Sequence, residues 1–130
     1  MEHIIVLEAR KFLNIPFFFK GRSNGGMDCA GVVCKALSNT IIPGYEFLDY
    51  TFNPSPQNIR IELLKIAYEV TDPISGDLLI FNLSGLPQHI AIFTSENTII
   101  HTYKRVGKVV EEKYTNYWNS KLENIYRIRS

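Results

Sequence analysis

The chain has 130 residues, of which 45% are hydrophobic and 12% aromatic, enough for one folded domain over 1–130. Its 14 basic and 13 acidic residues are interspersed and leave a net charge of +1. This balance excludes a polybasic nucleic-acid arm and a basic membrane-binding stripe, so we expect neither nucleic acid nor membrane as a partner. The most charged stretch, 104–113, mixes both signs and predicts a solvated hairpin.

The N-terminus does not have the pattern of a secretion signal, because it lacks a basic region and its apolar run, Ile4 to Leu7, is short. No stretch of the sequence has the length of a membrane span. We therefore expect synthesis in the cytoplasm without a signal peptide. The two cysteines, Cys29 and Cys34, are five positions apart and would point to different faces of a helix, so we expect no disulfide between them. Cys34 is predicted to be a small buried residue.

Helical patterns fill the first half of the chain. Apolar residues at helical spacing predict a short amphipathic helix over 3–13. Asp28 is predicted to cap a second helix that runs from Cys29 to Ser38. The stretch 39–57 is rich in proline, glycine and aromatic residues and predicts a packed surface loop. Residues 57–69 return to helical spacing.

Strand patterns fill the second half. Short apolar or alternating runs predict strands at 78–81, 89–93, 98–103 and 125–128, with turns at 85–87 and 106–109. Helices followed by an antiparallel meander predict an α+β domain.

Two histidines are predicted to lie side by side in the hairpin formed by residues 89–103. If Phe93 pairs with Asn97 across a three-residue loop, His89 lies opposite His101 on the adjacent strand. Opposite residues share a face of the sheet and have Cβ atoms about 5 Å apart.

Cys29 is the candidate nucleophile, because it follows a glycine-rich loop at the start of a helix. Unpaired N–H groups and the positive end of the helix dipole there favour a thiolate. If this helix packs against the histidine face, His89 can take the Cys29 proton and later protonate a leaving amine. His101 would orient His89, and the N–H of Cys29 would donate to the oxyanion. This chemistry is acyl transfer through a thioester. It suits an amide substrate and needs neither cofactor nor metal.

The ordered motifs resemble the NlpC family of cell-wall cysteine peptidases, a papain-like group. The matching segments, in chain order, are Asn14-Ile15-Pro16-Phe17, Gly25-Gly26, Asp28-Cys29-Ala30-Gly31, Gly76-Asp77-Leu78-Leu79-Ile80-Phe81, His89 and His101. The resemblance implies a papain-like α+β fold in which N-terminal helices pack on a C-terminal antiparallel sheet.

The same resemblance implies a function, a catalytic triad and a substrate site. The implied reaction is hydrolysis of peptidoglycan stem peptides at a bond between D-γ-glutamyl and a diamino acid, with Cys29, His89 and His101 as the triad. Asp28, Phe17 and Ala30 fall at substrate-site positions. Phe17 stands where the family has a tyrosine whose hydroxyl assists at the cysteine and oxyanion, and Ala30 where a serine helps recognise the amino end of the substrate.

A subgroup encoded with phage and gene-transfer-agent tails resembles this chain further. The shared features are the short length, the segment 100–103 and Trp118 before a final strand. This likeness implies a protein carried on a particle tail, with other tail proteins as partners, that opens the cell wall locally for DNA delivery.

Three other interpretations remain open. Phe17 and Ala30 are compatible with a non-catalytic tail or wall-binding module that keeps the fold. A thiol enzyme acting on another amide or acyl group, such as a tail-protein maturation protease, would share the same residues. Cys29, His89 and His101 could instead form a zinc site, although they supply only three ligands without a typical spacing.

Overall fold

The computed structural model describes residues 1–50, 58–83 and 86–129. Its helices are α1 (Ile4–Arg10), α2 (Cys29–Ser38), α3 (Asn58–Leu64) and α4 (Asn116–Lys121). Its strands are β1 (Arg22–Ser23), β2 (Gly26–Met27), β3 (Ala67–Val70), β4 (Leu78–Leu83), β5 (Leu86–Phe93), β6 (Thr98–His101), β7 (Val110–Lys113) and β8 (Leu122–Ile128). No helix in these ranges is long and apolar enough to cross a membrane.

Local sequence rules account for the two N-terminal helices. Helix α2 has the predicted bounds, and the predicted cap is confirmed, because the Asp28 side chain accepts a hydrogen bond from the N–H of Gly31 at 2.7 Å. Helix α1 is shorter than the predicted 3–13. His3 caps it by accepting a hydrogen bond at Nδ1 from the N–H of Ile5. The chain then leaves the helix and reaches Asn14 at φ 75°.

Strands β3 to β8 form one antiparallel sheet in the order β3-β8-β4-β5-β6-β7. Helices α1 and α2 cover one face, where α2 packs beside β5 over Ile90 and Ile92. Helix α4 covers part of the other face, where Trp118 joins Phe81 and Ala91 in a second apolar cluster. This arrangement confirms the predicted α+β fold.

The predicted helix over 57–69 is wrong in its second half. Helix α3 ends at Leu64, and residues Ala67–Val70 form strand β3, which pairs with β8 from Ile128 to Ile125. Helical spacing is a local signal, whereas the open edge of β8 supplies four partners that the local pattern does not reveal. Residue 57 lies outside the described part of the chain.

The β5–β6 hairpin differs from its predicted register by two residues. Its ladder joins Ile92 to Ile100 and Phe93 to Ile99. The three-residue loop spans 95–97 and is closed by a hydrogen bond from the N–H of Thr94 to the carbonyl of Thr98. A shift of two residues preserves the face on which each side chain lies, because side chains alternate with a period of two.

The two other predicted loops are described in part. Within 39–50, Phe47 and Tyr50 are buried, as expected for a packed loop, and residues 51–57 lie outside the description. The predicted turn at 85–87 is wrong at its end, because β5 already begins at Leu86. Residue 85 is outside the description.

Candidate active site

Three glycines let the loop before α2 lie directly against the helix. A Cβ atom on Gly31 would overlap the backbone carbonyl oxygen of Gly21, and a Cβ on Gly21 would overlap the carbonyl of Gly26. A Cβ on Gly26 would in turn overlap the Phe18 side chain. These backbones therefore approach at distances that other residues would prevent. The close packing determines where α2 begins and hence where Cys29 lies.

Asp28 is buried, and four groups of the protein donate hydrogen bonds to it. The N–H groups of Gly31 and Lys20 donate at 2.7 and 2.8 Å, the Arg22 guanidinium at 3.0 Å and the Tyr50 hydroxyl at 2.7 Å. Both carboxylate oxygens of Asp28 are engaged by these contacts. The structure therefore places Asp28 as the anchor that joins the helix start to the loops on either side.

The other two predicted substrate-site residues differ in exposure. Ala30 is fully buried and offers no surface to a ligand in this structure. Phe17 is half-buried beside Met27, and its N–H donates to the carbonyl of Gly107. The segment of Phe17 thus contacts both the loop that leads to Cys29 and the turn between β6 and β7.

The pKa of the Cys29 thiol is raised, so the helix start does not by itself favour the thiolate. Burial raises the pKa of Cys29 to about 12, and the Asp28 carboxylate beside it adds to the rise. The backbone N–H groups of Ile90 and Ala30 and the Arg22 charge lower this pKa but do not compensate. A base is therefore needed to remove the thiol proton.

The Cys29 helix and the His89 ring lie on opposite faces of the sheet, and the thiol makes no hydrogen bond to His89. Helix α2 packs over Ile90, whereas the His89 ring lies on the opposite face, in contact with Phe81 and Trp118. The prediction that α2 covers the histidine face is thus wrong. In the described ladder β5 pairs with β6 only at its last two residues, 92–93. The N–H of Ile90 is close enough to the Cys29 sulfur to lower the pKa of the thiol.

His89 and His101 form a buried pair, although their register differs from the prediction. Nε2 of His89 lies 2.6 Å from Nδ1 of His101, and the two ring centroids are 4.9 Å apart. Nδ1 of His89 is buried and has no hydrogen-bond partner among the described residues. Burial, aided by the neighbouring His101, lowers the pKa of His89 well below its ordinary 6.5. His89 is therefore a neutral imidazole at pH 7 with one nitrogen uncommitted.

Two residues at this site were not singled out from the sequence as site residues. Nε2 of His101 lies 2.8 Å from Oε2 of Glu112, and the Trp118 indole donates to Oε1 of the same carboxylate at 3.2 Å. Glu112 pairs with Ile99 in the β6–β7 ladder and so shares a face with His101. The predicted hairpin is present between β6 and β7, and the Glu112 side chain is partly exposed. Its two acidic residues also contact protein groups, since Glu111 pairs with Arg10. Strand alternation could have identified Glu112 only with the register known.

The metal-site interpretation gains no support from the arrangement. Within the described ranges, no group of three or more His, Cys, Asp or Glu side chains could hold a metal ion. Both ring nitrogens of His101 face other side chains, one at His89 and one at Glu112.

A cysteine at a helix start and a buried histidine pair, within a helix-on-sheet α+β fold, are features of a papain-like protein. The family model that matches residues 14–127 is that of the NlpC/P60 family, so this chain belongs to that family. A curated relative, a probable endopeptidase of Haemophilus influenzae, is 26% identical over 125 residues, covering 93% of this chain and 71% of the relative.

Solved structures with low sequence identity share the fold. The NlpC/p60 domain of the peptidoglycan hydrolase SagA is 21% identical with a TM-score of 0.66, covering 96% of this chain and 97% of that domain. RipD of Mycobacterium tuberculosis, described as a non-catalytic NlpC/p60 domain adapted to peptidoglycan binding, is 15% identical with a TM-score of 0.62. That match covers 97% of this chain and 94% of RipD. The fold thus occurs in both hydrolases and binding proteins, and the site residues must decide between the two.

Proposed function

We propose that this protein is a cysteine endopeptidase that hydrolyses an amide bond in peptidoglycan stem peptides, between D-γ-glutamyl and a diamino acid. The observation that carries the proposal is the buried His89–His101 pair, in which Nδ1 of His89 has no partner among the described residues. The N–H of the next residue, Ile90, is near enough to the Cys29 sulfur to lower the pKa of the thiol. Family membership supports the substrate class, and the resemblance of the motifs supports the bond.

The proposed mechanism begins from a neutral thiol and a neutral base. As the Cys29 sulfur attacks the carbonyl carbon, its proton passes to Nδ1 of His89, and the oxyanion accepts a hydrogen bond from the N–H of Cys29 at the start of α2. The C–N bond then breaks, and His89 returns the proton to the leaving amine. Water attacks the thioester after giving a proton to His89. This step releases the carboxylic acid, and the sulfur regains its proton.

Incubation of the purified protein with bacterial sacculi tests the proposal. The wild type is expected to release new free amino groups, and Cys29→Ala is expected to release none. Cys34→Ala is the matched control, because Cys34 is a buried core residue of the same helix. Mass spectrometry of the released peptides identifies the bond. Cleavage of a protein but not of sacculi would favour a maturation protease.

A non-catalytic wall-binding module is the second candidate. The raised pKa of Cys29, the buried Ala30 and the shared fold with RipD favour it. Wild-type protein that cosediments with sacculi but releases no amino groups across pH 5–9 would establish binding without hydrolysis and would refute the enzyme.

We also propose that the protein acts at the cell wall as part of a phage or gene-transfer-agent tail. The support is the likeness of the segment 100–103 and of Trp118 to the tail-encoded subgroup. Mass spectrometry of particles purified from the producing strain tests this, and absence of the chain from those particles would contradict it.

A further inference from the structure

Glu112, which contacts His101, differs from the two histidines because it can only accept hydrogen bonds. Its interaction with His101, followed by the indole contact, lowers the pKa of Glu112, so the group is a carboxylate at neutral pH. A carboxylate has no proton to donate. The 2.8 Å contact therefore requires that Nε2 of His101 carry a hydrogen.

The hydrogen on Nε2 of His101 also determines which nitrogen of His89 carries a hydrogen. A neutral imidazole carries one N–H, so a hydrogen on Nε2 of His101 leaves Nδ1 as an acceptor. The 2.6 Å contact between the rings then requires the hydrogen of His89 to lie on Nε2. Nδ1 of His89 is consequently the unprotonated nitrogen. It is the same nitrogen that is buried without a described partner.

The reverse polarity is unfavourable in this environment. If Nδ1 of His101 carried the hydrogen, Nε2 of His89 would accept it and the His89 hydrogen would move to the buried Nδ1. A buried donor would then lack an acceptor among the described residues. The same nitrogen could not accept a proton from a thiol.

We propose that Glu112 is a positioning residue that sets the direction of the hydrogen bonds through His101 and keeps Nδ1 of His89 free to accept the Cys29 proton. The expected effect on kcat rests on the proposed function. The expected tautomers of His89 and His101 do not depend on it. Trp118 supports the role, because its indole holds the second oxygen of Glu112 at 3.2 Å and edges against the His101 ring. Glu112 lies behind His101 as seen from His89, so it acts through the pair and not on the substrate.

Nitrogen-15 NMR of histidine-labelled protein measures the tautomers directly. In the wild type, His89 and His101 are both expected as Nε2–H tautomers with unprotonated Nδ1. In Glu112→Gln a single amide oxygen must accept hydrogen bonds from both Trp118 and His101. The direction of the hydrogen bonds is then less well fixed, so a sizeable fraction of the two histidine rings should carry the hydrogen on Nδ1. Glu111→Gln is the matched control, because Glu111 is the neighbouring acidic residue but contacts Arg10 and Thr98. Its histidine spectrum should equal that of the wild type.

Kinetics supply the second measurement. In metal sites, outer carboxylates that orient a ligating histidine contribute about 10- to 100-fold in affinity or activity, and we take this range for Glu112. We expect Glu112→Gln to lower kcat about 10- to 100-fold with KM within twofold, and Glu112→Asp to recover part of the loss.

Separate results refute the inference and the proposed function. A wild-type spectrum with Nδ1–H on His89 or a doubly protonated His101 would overturn the inference, even if Glu112 variants fail to fold. Unchanged tautomers in a folded Glu112→Gln protein would overturn it as well. A wild type with the expected tautomers but no hydrolysis would refute only the proposed function.

Discussion

Replacing Gly31 by alanine distinguishes local helix propensity from tertiary packing. Helix propensity predicts a more stable protein, whereas the packing predicts a less stable one. Gly31 lies in the first turn of α2, two residues after Cys29. In an exposed helix interior, alanine would be more stable than glycine by about 1 kcal/mol. In this structure the added methyl group would overlap the carbonyl oxygen of Gly21 and lie 3.0 Å from the Arg22 guanidinium and 3.1 Å from Asp28.

The expected cost follows from what must move. Overpacking a tight site costs about 1–3 kcal/mol, and the atom in the way here is backbone, which cannot rotate aside. Displacing the loop also weakens the Asp28 cap, a contribution of about 1 kcal/mol. After the helix-propensity gain is subtracted, we expect Gly31→Ala to lower the free energy of unfolding by about 1–3 kcal/mol. The shifted helix start should also displace Cys29 and lower kcat.

Urea denaturation followed by circular dichroism measures the change. Gly25→Ala is the matched control, because a Cβ there meets only the Ser23 hydroxyl at 3.5 Å. The control should stay within about 0.5 kcal/mol of the wild type. A Gly31→Ala protein as stable as the wild type, or more stable, would refute the close approach of the loop to α2.

Two further predictions concern protonation. Because burial keeps the pKa of folded His89 well below the 6.5 of the unfolded chain, the unfolded state binds the proton first and stability falls as pH decreases below 6.5. In urea titrations between pH 6.5 and 5, His89 should add a slope of about 1.4 kcal/mol per pH unit to the free energy of unfolding. Equal slopes in wild type and His89→Gln would contradict the lowered pKa. Since the pKa of Cys29 is raised to about 12, iodoacetamide should alkylate it at pH 8 more than about tenfold slower than the unfolded chain, measured in a Cys34→Ala background. Alkylation faster than in the unfolded chain would instead indicate a resting thiolate.

Local chemistry made some features predictable from the sequence. The Asp28 cap and the bounds of α2 depend on a side chain and an N–H three residues apart, so the prediction is confirmed to the residue. The contact between His89 and His101 was predicted from the wrong register. It survives because an error of two residues leaves both side chains on the same face.

Contacts between distant segments were not predictable in the same way. Strand β3 exists because β8 offers it a partner, although its own residues have helical spacing. The contact of Glu112 with His101 depends on the β6–β7 register, and Glu112 therefore seemed no different from its neighbours on a charged hairpin.

The sequence by itself determined the nucleophile candidate, the helix that carries it, the α+β class and the family resemblance, because each depends on neighbours along the chain or on ordered motifs. Only the tertiary structure decided the protonation of the site. Burial, which no local pattern specifies, raises the pKa of Cys29 and opposes the effect of the helix N-terminus. It likewise keeps His89 uncharged, while Glu112 and Trp118, brought in from later in the chain, surround His101.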